Sequence, residues 1–313
     1  MPRRKNLTWE RAMERYEVHM LAKHVSPRTL DGHQRDVGHF QAHVGDLRPD
    51  QVSLDDFRDY QCALLSGSGS ASGRPISAAT VAKNTTALRV FFAFLHEEDL
   101  LGENPAARLE RPKAPRRLPG QVLTVTEVKR LLAAPSSEPS GLRDRALLEV
   151  LYATGLRRAE VCSLDLSDLD HVEREVRVHQ GKGGKSRIVP LTRSAYHHVQ
   201  HYIQHGRAEL TTSHADSSQA FFLSGWGQRI KAQGVARAIK SAVVTAKIKK
   251  AVSAHTFRRT FATHLLKGGA SLRHIQILLG HANLNTTAIY LRLEGDDLRR
   301  EVLLKHPRER FEV

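Results

Sequence analysis

The chain has 313 residues, of which 40% are apolar and 26% charged, and its formal net charge at pH 7 is +15. This length predicts two domains rather than one. No apolar run approaches the roughly 18 residues that a membrane-spanning helix needs, and the basic N-terminus lacks the apolar stretch of a signal peptide. The two cysteines, Cys62 and Cys162, do not have metal-ligand spacing, so we expect a reduced, cytoplasmic protein with no membrane partner.

The excess of positive charge favours a polyanionic partner, and nucleic acid is the commonest of these. Charge alone does not distinguish such a partner from general solubility in a basic protein. It also carries no sequence specificity.

The first hundred residues have the pattern of a helical domain. A Ser-Pro start and helically spaced apolar residues predict a helix over 26–45, and a serine N-cap before two aspartates predicts another over 53–65. A loop rich in glycine and serine over 66–75 then leads into a long helix over 77–101 with a wide apolar face.

Residues 108–120, "RLERPKAPRRLPG", form a predicted linker, because its prolines forbid regular helix. Its basic side chains favour a segment that lies along DNA phosphates, with a plain spacer as the alternative. We therefore divide the chain into a helical domain over 1–107, this linker, and a second domain over 121–313.

The second domain is predicted to mix helices with a small β-sheet. A helix capped by Thr124 or Thr126 comes first, and a buried helix over 142–155 ends on Gly155. Alternating residues on both sides of a glycine-rich turn predict a β-hairpin over 174–191. The remainder is helical, so the fold class is mainly α with a small sheet.

Four segments of this domain carry polar residues that a core does not need. Arg157 and Glu160 lie at the start of a helix, where a surface ion pair is the plain alternative. Lys182 lies near the tip of the hairpin in "GKGGKSR", which imitates a phosphate-binding loop. Because His179 stands where that loop needs glycine, and a strand follows instead of a helix, we reject nucleotide binding.

The other two segments lie further along the chain. His255 and Arg258 are three residues apart on one helix, where a capping or packed histidine is the alternative. A helix that begins after Ser271 stops at Gly280 and is followed by His281. A new helix near Asn285 then carries the tyrosine at position 290.

In this order and spacing the segments are specific, and the second domain resembles the tyrosine recombinase (phage integrase) family, which includes Xer recombinases and mobile-element integrases. The resemblance rests on Arg157 in "TGLRRAEV", Lys182 in "GKGGKSRIVPL", His255 and Arg258 in "HTFRRTFATHLL", His281 in "LLGH", and Tyr290. The first domain is similar to the family's helical, SAM-like core-binding domain through "SPRTL" and the stretch over 88–113, "LRVFFAFLHEEDLLGENPAARLERPK". Ala159 and Arg259 depart from the family's common serine and histidine.

The resemblance implies that the two domains form a C-shaped clamp on DNA and that Tyr290 is the nucleophile. Tyr290 would form a 3′-phosphotyrosyl intermediate and release a 5′-hydroxyl. Arg157 and Arg258 would hold the non-bridging phosphate oxygens, and Lys182 would act as general acid. This chemistry conserves the phosphoester linkage, so no cofactor and no metal is expected.

The resemblance also assigns supporting roles. His255 would assist proton removal from the nucleophile, His281 would hydrogen-bond a phosphate oxygen, and Glu160 would support the catalytic residues from behind. Further DNA contacts are expected from Arg111, Lys113, Arg116, Arg117, Lys185, Arg187 and Arg259. A stripe of His197, His201 and His205 could bind zinc, but it lacks a cysteine or carboxylate at ligand spacing, so a basic or partly packed helix face is favoured.

The expected partner is double-stranded DNA with a specific recombination site, bound by a homotetramer on paired sites. The need for a second recombinase or an accessory protein stays open, as does the choice between integration, excision and resolution. A type IB topoisomerase and a non-catalytic DNA-binding protein of the same fold are the alternatives. After the tyrosine, Leu298, Val302 and Leu303 give an apolar strip that docks either on a neighbouring protomer or on its own chain.

Overall fold

The computed structural model describes residues 7–69, 73–113, 121–179, 186–211, 219–280 and 302–310. The chain divides into two compact units, Met1–Leu118 and Pro119–Val313. The described residues are mainly helical and include a three-stranded sheet, which confirms the predicted fold class. None of the helices they form combines the length and the apolar character that crossing a membrane requires.

The described part of the N-terminal unit contains four helices, each preceded by a threonine or serine whose hydroxyl accepts a hydrogen bond from a first-turn amide. These helices are α1 (Trp9–Ala22), α2 (Pro27–Val44), α3 (Leu54–Ser66) and α4 (Ala78–Glu97). The predicted helices over 26–45 and 53–65 are therefore confirmed to within a residue or two.

Helix α4 ends at Glu97, four residues before the predicted end. The cause is Asp99, which adopts a left-handed conformation with φ of 54°. The amides of Leu100 and Leu101 then both turn back to the carbonyl of Leu95, at 2.9 and 3.1 Å. The apolar pattern continues past the helix because both leucines remain buried, so the pattern alone could not locate the end.

Aromatic side chains fill the core of the N-terminal unit. Phe40 stacks on Phe57 with ring centroids 4.6 Å apart, and the rings of Phe57 and Phe92 pack perpendicular to each other with centroids 5.0 Å apart. Leu109 belongs to the same core, and its carbonyl accepts a hydrogen bond from Arg89. The first residues of the predicted linker are thus packed on this unit, because a leucine within the basic run is buried.

The C-terminal unit surrounds the helix α6 (Pro139–Thr154), whose last nine residues are all buried. The other helices described in this unit are α5 (Val125–Ala133), α7 (Arg158–Ser163), α8 (Arg193–His201), α9 (Arg207–Leu210), α10 (Ala232–Thr245), α11 (Ala254–Lys267) and α12 (Leu272–Leu279). A π-helical turn, Tyr202–Gly206, joins α8 to α9, and short 3-10 turns cover Leu166–Asp168 and Pro307–Arg310.

The sheet is antiparallel in the order β1 (Leu169–Asp170), β2 (Glu175–Val178), β3 (Arg187–Pro190). Strands β2 and β3 are the two arms of the hairpin that alternation predicts over 174–191, with Val176 opposite Val189. Strand β1 was not predicted, because two residues are too few to show a period.

The helix ends of the C-terminal unit can also be compared with the positions predicted from the sequence. Thr124 caps α5 in a reciprocal capping box, which decides between the two predicted threonines. Helix α6 begins earlier than predicted, with Pro139 in its first turn, where a missing amide hydrogen costs nothing. Gly155 ends α6 in the left-handed conformation, as predicted.

The segment 302–310 packs on the C-terminal unit of its own chain. Val302 and His306 are fully buried, and the Nε2 of His306 donates to the carbonyl of Tyr152 at 3.0 Å. The guanidinium of Arg308 forms a buried bidentate pair with the carboxylate of Glu149. These contacts are intramolecular, docking on a neighbouring protomer stays the alternative prediction, and Leu298 lies outside the described residues.

Candidate active site

Arg157 is placed by a tight reversal between α6 and α7. Gly155 has φ of 62°, and a Cβ at this position would lie 2.6 Å from Cδ1 of Phe261, so only glycine fits here without strain. Two residues later Arg157 occupies the N-cap of α7, with extended backbone. Its side chain is 39% exposed, which leaves the guanidinium partly accessible to solvent.

Glu160 is the carboxylate that fixes Arg157. Its Oε2 accepts the backbone amide of Arg157 at 2.7 Å, and its Oε1 accepts Nη1 of the same residue at 2.8 Å. Arg187 donates to both oxygens from the other side, at 2.9 and 2.8 Å. Although burial opposes ionisation, the hydrogen bonds from Arg187 and Arg157 lower the pKa of Glu160, so the carboxylate is charged near neutral pH.

Arg258 lies on α11, a helix capped by Ser253, and is only 7% exposed. Its Nη1 donates to the carbonyl of Gly155 at 3.0 Å and its Nη2 to the carbonyl of Leu279 at 2.6 Å. Burial lowers its pKa to about 10, and repulsion from Arg157 acts in the same direction. The guanidinium still carries its charge at neutral pH.

The guanidinium groups of Arg157, Arg187 and Arg258 all donate to backbone carbonyls at the C-terminal end of α12. The carbonyls of Leu278, Leu279 and Gly280 accept hydrogen bonds from Arg187, Arg258 and Arg157, at 2.8, 2.6 and 3.2 Å. The last carbonyls of a helix have no intrahelical partner and carry partial negative charge, so cations are stabilised there. Gly280 ends the helix with φ of 61°.

The histidine that follows α12 in the sequence, His281, lies outside the described residues. So do Arg116, Arg117, Lys182, Lys185 and Tyr290. The structure therefore brings together Arg157, Arg258 and Glu160 of the predicted site.

His255 and Arg258 were expected on one helical face, and the structure separates them by burial. His255 is exposed in the first turn of α11, while Arg258 points into the unit. Arg259 is also exposed, and its Nε lies 3.4 Å from the carbonyl of His255. Arg111 and Lys113 are exposed at the end of the described N-terminal unit.

Arg187 differs from its predicted role as a DNA contact. Its side chain is 8% exposed, and it donates to Glu160 and to the carbonyl of Leu278. The reason is strand alternation, since Arg187 lies two residues before the buried Val189 and shares its face, while Ile188 points outward. That period was present in the sequence and could have identified Arg187 as inward-facing.

The histidine stripe on α8 is interrupted by the π-helical turn, which changes the spacing beyond His201. The rings of His201 and His205 lie 4.7 Å apart. Within the part of the chain that the structure describes, no group of three histidine, cysteine or acidic side chains is placed to hold a metal ion.

Three arginines and one glutamate give this cluster two net positive charges. The half-exposed Arg157 and the anchored Arg258 present planar donor groups, which suit the oxygens of a phosphate diester. Because Glu160 and backbone carbonyls fix both guanidinium groups, little side-chain entropy is lost when an anion binds.

Comparison with known proteins agrees with this chemistry. The sequence matches the phage integrase family over residues 121–296 and the phage integrase N-terminal SAM-like domain over residues 13–99. A tyrosine recombinase XerC of Pelotomaculum thermopropionicum is 36% identical over 297 residues, covering 91% of this chain and 94% of that protein. A tyrosine recombinase XerD of Oceanobacillus iheyensis is 34% identical over 288 residues, covering 91% of this chain and 94% of the relative.

Among solved structures, the Tn1549 transposon integrase in complex with a circular intermediate DNA has the same fold. Its TM-score is 0.70 at 19% identity, and the match covers 89% of this chain and 93% of that one. The sequence match spans both domains, and the relatives are matched over nearly their full length. The chain therefore belongs to the phage integrase family and is a tyrosine recombinase.

Proposed function

We propose that this recombinase cleaves and rejoins duplex DNA at a specific site through a covalent bond between Tyr290 and a 3′-phosphate. The observation that carries the proposal is the pair of guanidinium groups of Arg157 and Arg258, both held at the C-terminal end of α12. In the sequence, Tyr290 follows Gly280 by only ten residues. The phosphate-binding groups and the nucleophile thus belong to consecutive segments.

The reaction balances without an external energy source. The phenol oxygen of Tyr290 attacks the phosphorus, the bond to the 5′ oxygen breaks, and that oxygen takes a proton from the general acid Lys182. The reverse step, in which a 5′-hydroxyl from another strand attacks the phosphotyrosine, rejoins the backbone and frees the tyrosine. One phosphoester replaces another at each step.

The arginines contribute by stabilising charge that develops on the phosphate. A preorganised donor aimed at such charge is typically worth roughly 2.7–4 kcal/mol, and here the neighbouring carbonyls and Glu160 provide the preorganisation. Tyrosine has an ordinary pKa near 10, so it is protonated at neutral pH and needs assistance. We assign that assistance to His255, and we assign to His281 a hydrogen bond to a phosphate oxygen.

We further propose that basic side chains on both units contact the DNA backbone. The exposed Arg111, Lys113 and Arg259 support this assignment, together with the net charge of +15. We extend it to Arg116, Arg117 and Lys185 from the family resemblance. Strand exchange joins two sites, so four protomers on paired DNA, acting in the cytoplasm, complete the proposal.

A trapped covalent complex tests the proposal. The cognate site is first selected from the DNA that flanks the gene, and a substrate with a nick beside the cleavage position is prepared. Cleavage releases a short fragment that diffuses away, so religation fails and the protein stays attached. We expect an adduct on a denaturing gel in the presence of EDTA.

Tyr290→Phe should form no adduct but should bind the site with unchanged affinity. Tyr196→Phe is the matched control, because Tyr196 is a partly exposed tyrosine on α8 with a hydroxyl hydrogen-bonded to His171. This variant should form the adduct at the wild-type rate. Tight binding with no adduct would favour the non-catalytic alternative, and relaxation of supercoiled DNA by a monomer without strand exchange would favour the topoisomerase.

A further inference from the structure

The side chain of Arg187 connects three parts of the candidate active site. It starts from β3, pairs with Glu160 on α7, and reaches the carbonyl of Leu278 on α12 through Nε at 2.8 Å. Hydrogen bonds from a fixed planar guanidinium constrain both distance and angle. Arg187 therefore sets the position of these three elements relative to one another.

The carboxylate of Glu160 is fully occupied because of Arg187. A carboxylate offers about four lone-pair positions, and Glu160 fills them with four donors, two from Arg187 and two from Arg157. Only one of the two Arg157 donors belongs to its guanidinium, namely Nη1. The second terminal nitrogen, Nη2, turns instead to the carbonyl of Gly280 at 3.2 Å.

Removal of Arg187 would change this distribution. Two lone-pair positions of Glu160 would open, and Arg157 would be the remaining guanidinium beside that carboxylate. Arginine and carboxylate groups readily form bidentate pairs, so Arg157 would be drawn further onto Glu160. The net charge of the cluster would fall from two to one, and a phosphate would meet a weaker and misdirected partner.

We propose that Arg187 is a positioning residue of the recombinase reaction, which occupies both oxygens of Glu160 and thereby keeps the remaining N–H groups of Arg157 available for the scissile phosphate. This inference rests on the proposed function, since it needs Arg157 to contact the phosphate. Arg187 acts through Glu160 and Arg157, and it is not a DNA contact. Its 8% exposure agrees with that role.

The main variants are Arg187→Met, which keeps most of the apolar stem without the guanidinium and its charge, and Arg187→Lys, which keeps the charge without the two-pronged geometry. Arg143→Lys is the matched control. The side chain of Arg143 is only 12% exposed and pairs with one carboxylate, that of Asp144, and one carbonyl, that of Leu223, but it has no contact with the arginine cluster. Melting temperatures are measured for all variants.

Two properties are measured on the nicked substrate. The first is the affinity for DNA and its salt dependence, determined in a Tyr290→Phe background so that no covalent step intervenes. The second is the single-turnover rate of adduct formation at saturating DNA. We expect at most a small loss of affinity, because only the scissile phosphate meets the altered cluster, and an unchanged salt dependence. The rate should be about 100-fold lower in Arg187→Met, since a misplacement of about 1 Å has this effect. Arg187→Lys should lie between Arg187→Met and the wild type.

A suppressor variant separates positioning from folding. In Arg187→Met the excess charge on Glu160 is what captures Arg157, so the double variant with Glu160→Gln should form adduct faster than Arg187→Met alone. A merely structural loss would not be relieved by a second change in the same cluster. If Arg187→Met does not fold, the same comparison is made with Arg187→Lys.

Three results would overturn the inference. Weaker binding with a salt slope reduced by about 0.9, and a normal rate at saturation, would make Arg187 a DNA contact. A rate loss that matches Arg143→Lys at equal melting temperature, and is not relieved by Glu160→Gln, would make its role structural. A normal rate of adduct formation in Arg187→Met would show that Arg187 does not position Arg157. Absence of any Tyr290-dependent adduct in the wild type would instead overturn the proposed function, and this inference with it.

Discussion

Gly155 is the position where a single added methyl group should do the most damage to the candidate active site. Its φ of 62° lies in the left-handed region, where a residue with a Cβ pays about 1–2 kcal/mol. A Cβ would also lie 2.6 Å from Cδ1 of Phe261 and 3.0 Å from Cδ2 of Leu279. Both neighbours are buried, so they cannot move aside freely, and overpacking of this kind adds about 1–3 kcal/mol.

Gly155→Ala should therefore lower the free energy of unfolding by about 2–5 kcal/mol, as the sum of these two contributions. Gly269→Ala is the matched control in the same unit, because Gly269 has φ of 89° but a Cβ there would meet nothing within 4 Å. In Gly269→Ala the free energy of unfolding should fall only by the cost of the left-handed conformation, about 1–2 kcal/mol. Urea unfolding is followed by circular dichroism, and hydrogen exchange in α6 identifies the transition of the C-terminal unit.

The same substitution should reduce catalysis beyond its effect on stability. The carbonyl of Gly155 accepts Nη1 of Arg258, so a shift of this turn moves a phosphate-binding guanidinium. Adduct formation, measured well below the unfolding temperature, should be slower in Gly155→Ala than in Gly269→Ala. Equal stability and equal rates in the two variants would refute the argument that Phe261 and Leu279 crowd this site.

Three other predictions follow from the described contacts. Arg258→Lys should slow adduct formation at saturating DNA by about 10²–10³-fold, since an ammonium cannot reach two carbonyls and a phosphate together, and a loss below tenfold would contradict the phosphate-clamp role. Burial lowers the pKa of His306 to about 3 from an ordinary 6.5, although its hydrogen bond to the carbonyl of Tyr152 acts in the opposite direction. The neutral ring accepts a hydrogen bond from the backbone amide of Arg308 through Nδ1. Because the unfolded chain takes up a proton that the folded chain refuses, this contribution to stability is complete above pH 6.5 and is lost toward pH 3, by up to about 1.4 kcal/mol per pH unit. His306→Gln should flatten the fall in urea midpoint between pH 7 and pH 5, and an unchanged slope would contradict the assignment. Replacing Arg111 and Lys113 together with glutamine should lower the slope of log affinity against log salt by about 1.8, and an unchanged slope would remove both from the DNA contacts.

Much of the fold follows from local signals in the sequence. Ser26, Ser53 and Ser271 each cap a helix at the predicted position, and Gly155 and Gly280 each end one in the left-handed conformation. These signals are reliable because a cap depends on only a few neighbouring residues. The hairpin was predictable for the same reason, through the period of two in its arms.

Several residues of the candidate site could be predicted from the sequence, but the hydrogen bonds between distant segments could not. The i, i+3 spacing of Arg157 and Glu160 correctly indicates a pair. It cannot reveal that Arg187, 27 residues further on, shares the same carboxylate. Nor can it reveal that α12 offers its last carbonyls to three arginines, because such contacts depend on the packing of elements distant in the sequence. His255 and Arg258 likewise differ in burial although their spacing is helical.

The segment 302–310 also shows that a sequence pattern can predict burial without identifying the contacting surface. The apolar strip that includes Val302 predicts docking, and that residue is fully buried. The pattern does not specify the partner surface, which the buried pair of Arg308 with Glu149 provides within the same chain. A charge pair of this kind leaves no periodic signal, since its two members are 159 residues apart.

The most direct test of the central claim is the chemical identity of the protein–DNA bond. The trapped adduct is digested with trypsin and nuclease, and the cross-linked peptide is sequenced by mass spectrometry. The account predicts that the peptide of residues 274–292 carries a nucleoside 3′-phosphate on Tyr290, and that the released strand ends in a 5′-hydroxyl. A link to another residue, or a tyrosine joined to a 5′-phosphate, would contradict the account.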